Sequence, residues 1–204
     1  GDAGNSDADR LAHRLGTLED EKAIRALVQT YEGLLERGEY EKIAGLFAAD
    51  AAVVFHGGTF HGKEGVSRLY REHFGAGRTG RKIGPAPGVP AGEESITVAG
   101  DRRSASAQFP YSIQVGAPMP DSPLVQMARL QGGGILRWCE SGIYELSCAK
   151  EGTDGGWKIA RLEHRVLSST DYRPGRAYAD PVSVPRFAKT YPADPSGPDL
   201  LNEA

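Results

Sequence analysis

The sequence contains little cysteine, and its two cysteines are poorly placed for a disulfide. Cys139 and Cys148 lie nine positions apart in what we predict to be one strand. A strand would hold them roughly 30 Å apart, far beyond the reach of an S–S bond. We therefore predict two free thiols, which favour a reducing compartment only weakly. The localisation stays open between the cytoplasm and export with a signal peptide that is absent from this sequence.

Long hydrophobic runs and an excess of one charge are also lacking. No run of about 20 apolar residues occurs, so we predict no membrane-spanning helix and no membrane partner. The formal net charge is −3, which gives no electrostatic reason to expect binding to nucleic acid. With 39% hydrophobic and 25% charged residues, the 204-residue chain has the composition of one globular domain.

Motifs for cofactors and metals are missing as well. The glycines between residues 75 and 92 neither lead from a strand into a helix nor match a phosphate-binding loop. His56, His61 and His73 are separated by five and twelve positions, which match no usual metal-ligand spacing. We therefore expect neither a metal nor an organic cofactor.

A helical pattern dominates the sequence from Thr17 to Phe74. Thr17 and Asp20 have the spacing of a capping box, and Gly38 is suited to end a helix in the left-handed conformation. Between them, apolar residues recur on one helical face, which predicts a helix from Thr17 to about Arg37. These residues are Ile24, Leu27, Val28, Tyr31 and Leu35. Residues 1–16 are small and polar, and we expect a flexible N-terminus there.

Two further helices and a strand complete this stretch. Apolar spacing from Tyr40 to Phe47 predicts a short second helix, and β-branched and aromatic residues at 51–56 predict a buried strand. A glycine-rich turn then leads into a third helix, whose inner face runs from Val66 to His73. The glycine- and proline-rich residues 75–92 form either a lid over a pocket or a mobile connection.

Alternating patterns from residue 95 onward favour antiparallel strands. Residues 95–115 predict two strands joined at Gly100–Asp101, and Pro110 inside the second implies an edge position or a bulge. After a long connection at 117–134, residues 135–151 and 157–170 predict a hairpin. The tail at 171–204 is rich in proline and tyrosine, so we expect it to pack along the surface of a domain spanning 17–170.

This α+β order resembles the SnoaL-like group of the nuclear transport factor 2-like superfamily. The resemblance covers roughly residues 18 to 170 and is carried by four segments: YEGLLERGEY (31–40), IAGLFAADAAVV (43–54), GKEGV (62–66) and WKI (157–159). It implies three N-terminal helices packed against a strongly bent, mainly antiparallel sheet, which together enclose a cone-shaped apolar pocket. It also implies a homodimer. Members of the superfamily include isomerases, dehydratases, cyclases, hydrolases and plain binding proteins.

Phe55 excludes the best-known chemistry of this superfamily. The ketosteroid-isomerase branch has a general-base aspartate in the first strand, and the matching position here is Phe55. A phenyl ring cannot abstract a proton. The dehydratase and cyclase branches instead use a histidine with an acid or a tyrosine in the same cavity, and this chain has candidates for each.

Three residues are candidates for catalysis. His164 has the strand parity of Leu162 and Val166, so we expect it on the apolar face, as a neutral general base. Tyr31 lies on the inner face of the long helix, where its phenol could polarise a ligand carbonyl. Glu140 among aromatic residues would have its pKa raised by burial and could serve as an acid or base. For each of them an alternative stays open: a backbone hydrogen bond in the core for His164, packing for Tyr31, and a solvent-facing or salt-bridged position for Glu140.

Five further residues are candidates for ligand contact: His56, Phe55, Trp138, Tyr144 and Leu162. Trp138, Glu140 and Tyr144 share one strand parity. His56 has the opposite parity to Phe55, so the two can face inward together only if the strand is irregular between them. The alternative for His56 is a histidine in the turn or at the surface.

These candidates support two hypotheses. The first is a cofactor-independent lyase or isomerase that moves a proton on a small apolar carbonyl or hydroxylated compound. His164 would be the base, with Tyr31 or Glu140 as its hydrogen-bond partner. The alternative is a non-catalytic protein that uses the same pocket to bind a small ligand or to assemble.

Overall fold

The computed structural model describes residues 2–77, 81–82, 94–119, 122–131, 133–152, 155–171 and 183–203. Its helices are α1 (Asp2–Arg37), a 3-10 helix (Tyr40–Leu46), α2 (Gly62–Ser67), a π-helical stretch (Arg68–Phe74), α3 (Gly75–Gly77) and α4 (Pro123–Leu130). From α2 to α3 the helical backbone is continuous. No helix among these residues has the length and apolar character needed to cross a membrane.

Within the described residues, eight strands form one curled, unclosed sheet. They are β1 (Phe47–Phe55), β2 (Gly58–His61), β3 (Arg81–Lys82), β4 (Ser95–Val98), β5 (Ser104–Pro118), β6 (Ile135–Lys150), β7 (Trp157–Asp171) and β8 (Leu200–Leu201). The order across the sheet is β3-β5-β6-β7-β1-β2-β8, with β4 also paired to β5. Strand β1 runs parallel to β7, whereas the other recorded pairs are antiparallel.

The predicted α+β architecture is confirmed. The apolar face of α1 packs on the concave side of the sheet, and Ile24, Tyr31 and Leu35 are at most 2% exposed. Gly38 follows the helix with φ of 70°, which is the left-handed conformation expected at that position. Burial of this face against the long strands β5, β6 and β7 forms one core.

The predicted start of α1 is wrong. The helix begins at Asp2, and the hydroxyl of Thr17 donates to the carbonyl of His13 as part of a continuous helix rather than capping its first turn. Asp20 is not a capping residue either, because its carboxylate accepts hydrogen bonds from Arg102, in the turn between β4 and β5, and from Trp157 of β7. Exposed side chains from residue 4 to 15 show that this added length does not contribute to the core.

The connection at 117–134 also contains a helix that the sequence pattern did not reveal to us. Ser122 accepts a hydrogen bond from the Val125 amide and Pro123 occupies the first turn, so α4 has an ordinary N-cap. Most of the proposed lid, at 78–80 and 83–93, lies outside the described residues, as do 172–182 of the tail. The described end of the tail packs on the domain through β8, which pairs with β2.

Pro110 occupies the kind of position that its missing N–H requires. On one side of β5, β4 pairs with residues up to Gln108 and β3 pairs from Ile113, so Pro110 lies between the two partners. Strand β6 continues along the other side. Among the described residues no strand pairs with Pro110 on the side of β3 and β4, as expected for the edge position that was predicted as the alternative to a bulge.

Candidate functional site

A buried carboxylate lies at the centre of the concave side of the sheet. Glu140 projects from β6 and is fully buried. It accepts hydrogen bonds from His56 Nε2 at 2.6 Å, from the Tyr111 hydroxyl at 2.9 Å and from Trp138 Nε1 at 3.4 Å. Two aromatic side chains and a histidine thus surround one carboxylate.

The partners of Glu140 reverse the predicted direction of its pKa. Burial raises the pKa, as predicted, but the hydrogen bond and charge of His56, the charge that His164 carries in acid and the Tyr111 hydrogen bond together bring it below the usual range. Glu140 is therefore ionised at neutral pH. Since an ionised carboxylate can only accept, His56 Nε2 carries the proton of the shared hydrogen bond.

His56 faces inward because the backbone reverses at this residue. His56 and Gly57 have φ of 45° and 78° and join β1 to β2 as a two-residue hairpin turn between Phe55 and Gly58. The left-handed conformation brings the His56 ring onto the Phe55 ring, with 3.6 Å between ring centroids. Both side chains are buried. The parity rule that separated them fails because His56 lies in the turn rather than in the strand.

His164 lies beside this pair, on the inward face of β7 that its parity predicts. Its ring is 4.9 Å from the Phe55 ring and 5.0 Å from the Tyr144 ring, measured between centroids. Neither ring nitrogen has a hydrogen-bond partner of normal geometry within the described chain. Burial lowers the pKa of His164 to about 4, against the opposing effects of the Glu140 charge and of a contact with the backbone of Val54, so the ring is neutral at pH 7.

A cluster of tyrosines forms the wall next to His164. The Tyr31 hydroxyl shares a hydrogen bond of 2.7 Å with the Tyr70 hydroxyl. Tyr144 stacks on Tyr111 with 4.2 Å between centroids, and its own hydroxyl is buried without a partner in the described structure. Burial raises the pKa of all of these phenols. They are therefore neutral hydrogen-bonding groups and not sources of charge.

A third histidine completes the surroundings of Phe55. His73, in the π-helical stretch, lies 5.6 Å from the Phe55 ring and has no partner for Nε2 within the described residues. Burial, and secondarily the charge of His56, lowers the pKa of His73 to about 4. π-Helical turns often occur at functional sites. Within the described chain no group of three or more His, Cys, Asp or Glu side chains is arranged to hold a metal ion.

The structure brings together the eight candidate residues but pairs them differently from our prediction. Tyr31, Phe55, His56, Trp138, Glu140, Tyr144, Leu162 and His164 are all buried on the concave side, or nearly so. The predicted hydrogen bond from His164 to Tyr31 or Glu140 is wrong. Glu140 pairs with His56, and Tyr31 pairs with Tyr70.

Three residues of the site were not among the candidates. Tyr111 shows the buried parity of β5 in the sequence, and this signal could have placed it opposite β6. Tyr70 and His73 lie on the predicted inner face of the third helix, so their inward position was visible in the pattern. Their proximity to Phe55 and Tyr31 depends on long-range packing that the pattern does not contain.

Comparison with known proteins gives a family and a fold. The sequence model of one protein family, the SnoaL-like domain, matches residues 16–163. A search of curated proteins finds no significant match. Among solved structures, a hexachlorocyclohexane dehydrochlorinase (LinA) type 2 is 17% identical, with TM-score 0.53 over 86% of this chain and 98% of its own.

Two further structures have the same fold. A "putative scytalone dehydratase" from Novosphingobium aromaticivorans is 18% identical, with TM-score 0.53 over 81% of this chain and 95% of its own. A variant of Rv3472 from Mycobacterium tuberculosis, a protein of unknown function, is 22% identical, with TM-score 0.52 over 75% of each chain. At these identities the likeness concerns the fold. Since the family model spans most of the chain, this protein belongs to the SnoaL-like domain family.

Proposed function

We propose that the protein is a cofactor-independent lyase or isomerase that transfers a proton on a small, uncharged carbonyl or hydroxylated compound. The observation that carries this proposal is the buried His56–Glu140 hydrogen bond beside the buried ring of His164, whose nitrogens make no hydrogen bond of normal geometry within the described residues. The names of two fold neighbours, a dehydrochlorinase and a dehydratase, denote eliminations and agree with this class of reaction.

The His56–Glu140 pair has the arrangement of an oriented general base. In the neutral form of the His56 ring, the carboxylate would hold the proton on Nε2 and leave the lone pair on Nδ1. In an elimination, Nδ1 would take a proton from the carbon next to a carbonyl while a C=C bond forms. A hydroxyl on the following carbon would then leave as water, with a proton returned by the imidazolium. This assigns the base to His56 and makes Glu140 the residue that positions it.

His164 and Tyr144 would contact the ligand. Both present buried polar atoms without partners in the described structure, and such atoms are costly to bury unless a ligand or water satisfies them. A neutral histidine offers one donor and one acceptor, and the tyrosine hydroxyl can do either. Because burial holds His164 neutral at pH 7, these contacts suit an uncharged hydroxyl or carbonyl group better than an anion.

The test is a panel of β-hydroxy ketones and related compounds, with formation of the conjugated product followed by ultraviolet absorbance. We expect His56→Gln to lower the turnover of an active compound by about a hundredfold or more, since general-base catalysis contributes about that much. His164→Leu should instead weaken binding. His61→Gln, which changes an exposed histidine at the end of β2, is the matched control and should retain full turnover.

Two outcomes would contradict the proposal. If His56→Gln retained full turnover, His56 would not be the general base. A small molecule retained through purification and found by mass spectrometry, with no compound of the panel converted, would favour the alternative of a binding protein. The homodimer and the other partner assignments stay predictions, and light scattering on the purified protein would test the former.

A further inference from the structure

The described C-terminal segment, residues 183–203, is bonded to the turn that carries His56. The Phe187 amide donates to the carbonyl of His56 at 3.1 Å, and the Asn202 amide donates to the carbonyl of Gly57 at 2.7 Å. Both carbonyls of the two-residue turn are therefore held by one segment. This segment lies beyond residue 163, where the match to the family model ends.

The His56–Gly57 turn needs such support more than an ordinary hairpin turn does. Glycine adopts positive φ at no steric cost, but His56 has φ of 45° and carries a Cβ atom. Were His56 to return to an extended conformation, strand parity would direct its ring away from Phe55 and Glu140. The hydrogen bond to Glu140 thus depends on an unfavourable backbone conformation being maintained.

Several contacts fix the segment itself next to the turn. Leu200 pairs with Thr59 in the β2–β8 ladder, and the Thr59 hydroxyl donates to the Asn202 side chain at 2.7 Å. The Asp199 carboxylate accepts from the His61 amide at 2.8 Å and from the Arg68 guanidinium at 3.3 Å. These bonds position Asn202, and through it the segment, against Gly57.

The ring of Phe187 adds an apolar contact at the same place. It lies 5.0 Å from His73 and 5.5 Å from Phe60, measured between ring centroids. Phe187 therefore makes two separable contributions. Its side chain covers His73 and Phe60, whereas its main-chain N–H holds His56.

We propose that the C-terminal segment is a positioning element of the catalytic site, which holds the His56–Gly57 turn in its left-handed conformation and thereby aims His56 at Glu140. The functional meaning rests on the proposed role of the His56–Glu140 pair. The structural claim does not, because the hydrogen bond between the two side chains can be observed without any ligand.

The test compares Phe187→Pro with Phe187→Ala by proton NMR of the full chain. Both variants remove the ring, but only proline also removes the N–H that binds His56. The reporter is the proton between His56 Nε2 and Glu140, which a short charge-assisted hydrogen bond shifts downfield. We expect this signal in Phe187→Ala and its loss, or about tenfold faster exchange with water, in Phe187→Pro. Its absence in His56→Gln assigns it.

Trp157 begins β7, and its indole N–H donates to Asp20. The proton signal of this N–H reports whether each variant is folded. If Phe187→Pro loses this signal as well, the pair Asn202→Pro and Asn202→Ala decides, since only the proline removes the N–H to Gly57. The proposal is overturned if the His56 proton persists in the folded proline variant, or if the alanine variant loses it equally.

Discussion

Two buried polar clusters in this domain each surround a carboxylate, but their polar atoms find hydrogen-bond partners to different degrees. The first, the Asp20 cluster, joins α1 to the sheet. Asp20 accepts from Arg102 at 2.7 Å, from Lys150 at 3.1 Å and from Trp157 at 3.2 Å. The second, the central cluster, is formed by Tyr111, Trp138, Glu140, Tyr144, His164 and His56.

The difference agrees with a structural role for the Asp20 cluster and with the function proposed above for the central cluster. Every donor recorded around Asp20 has its acceptor, and the cluster ties three separate parts of the sheet to one helix. In the central cluster the carboxylate is satisfied, yet His164 and Tyr144 present polar atoms to the interior without partners among the described residues. Folding alone gives no reason to retain such atoms, because apolar side chains of the same shape would be at least as stable there. A ligand of the kind proposed above would give a reason.

Removing the carboxylate of Glu140 should cost more stability than removing the carboxylate of Asp20. Glu140→Ala leaves three buried donors without an acceptor, so we expect it to lower the free energy of unfolding by about 3–5 kcal/mol. Asp20→Ala should lower it by about 1–3 kcal/mol, because Arg102 and Lys150 are partly exposed and can turn to water. Urea unfolding at pH 7 measures both.

The control for these variants is Glu151→Ala, which changes an exposed glutamate and should shift stability by no more than about 0.5 kcal/mol. Equal losses for Glu140→Ala and Asp20→Ala would show that the two clusters do not differ in the way the contacts indicate.

Acid should weaken the central cluster before the Asp20 cluster. The folded pKa of His164 is about 4, below the ordinary value of 6.5. The unfolded chain therefore binds a proton more readily than the folded one, and stability that is complete above pH 6.5 is lost as the pH falls toward 4. The difference corresponds to about 3 kcal/mol. His73, with its pKa also at about 4, should contribute a similar loss.

Asp20 acts in a lower pH range. Although burial raises its pKa, the hydrogen bonds of Arg102, Trp157 and Lys150 bring it below the ordinary 3.8, so its contribution is lost only in stronger acid. Urea unfolding between pH 7 and 4 should show the loss, and His164→Leu should reduce it by about half. If His164→Leu lost as much stability in acid as the wild type does, the assignment to His164 would be refuted. The control His61→Leu should show the full wild-type loss.

The smallest expected effect comes from one chemical change made at two tyrosines. Tyr144→Phe removes a buried hydroxyl without a recorded partner, and we expect stability to rise by about 1 kcal/mol. Tyr31→Phe removes a hydroxyl bonded to Tyr70, and stability should fall by about 1 kcal/mol. Thermal unfolding of the two variants gives the sign directly. If both variants became more stable, or both less stable, the two hydroxyls would not differ in hydrogen bonding as described.

Local periodicity was sufficient for the fold and for the inward direction of most site residues. The spacing of Ile24, Tyr31 and Leu35 placed the buried face of α1, and strand alternation placed His164 on the apolar side. For Glu140 alternation gave only the side that it shares with Trp138. These predictions succeeded because each depends on the repeat of a single element. The start of α1 failed because the capping-box spacing at Thr17 occurs within a longer helix.

The pairing of side chains within the site could not be obtained in this way. His56 and Glu140 are 84 positions apart, and their contact depends on the left-handed conformation of His56. The pKa of Glu140 was predicted in the wrong direction for the same reason. Burial could be inferred from parity, but the donors that outweigh it come from other strands.

The parallel pairing of β1 with β7 affects how the domain folds during its synthesis. Val53 in β1 is joined to Leu162 in β7, so the concave surface closes only when two distant parts of the chain meet. Such non-local contacts make folding slow. On the ribosome, β1 and the apolar face of α1 must wait until β7 has emerged, and during this interval they are exposed to association with other chains. Synthesis of this protein should therefore depend on chaperones more than its modest size suggests.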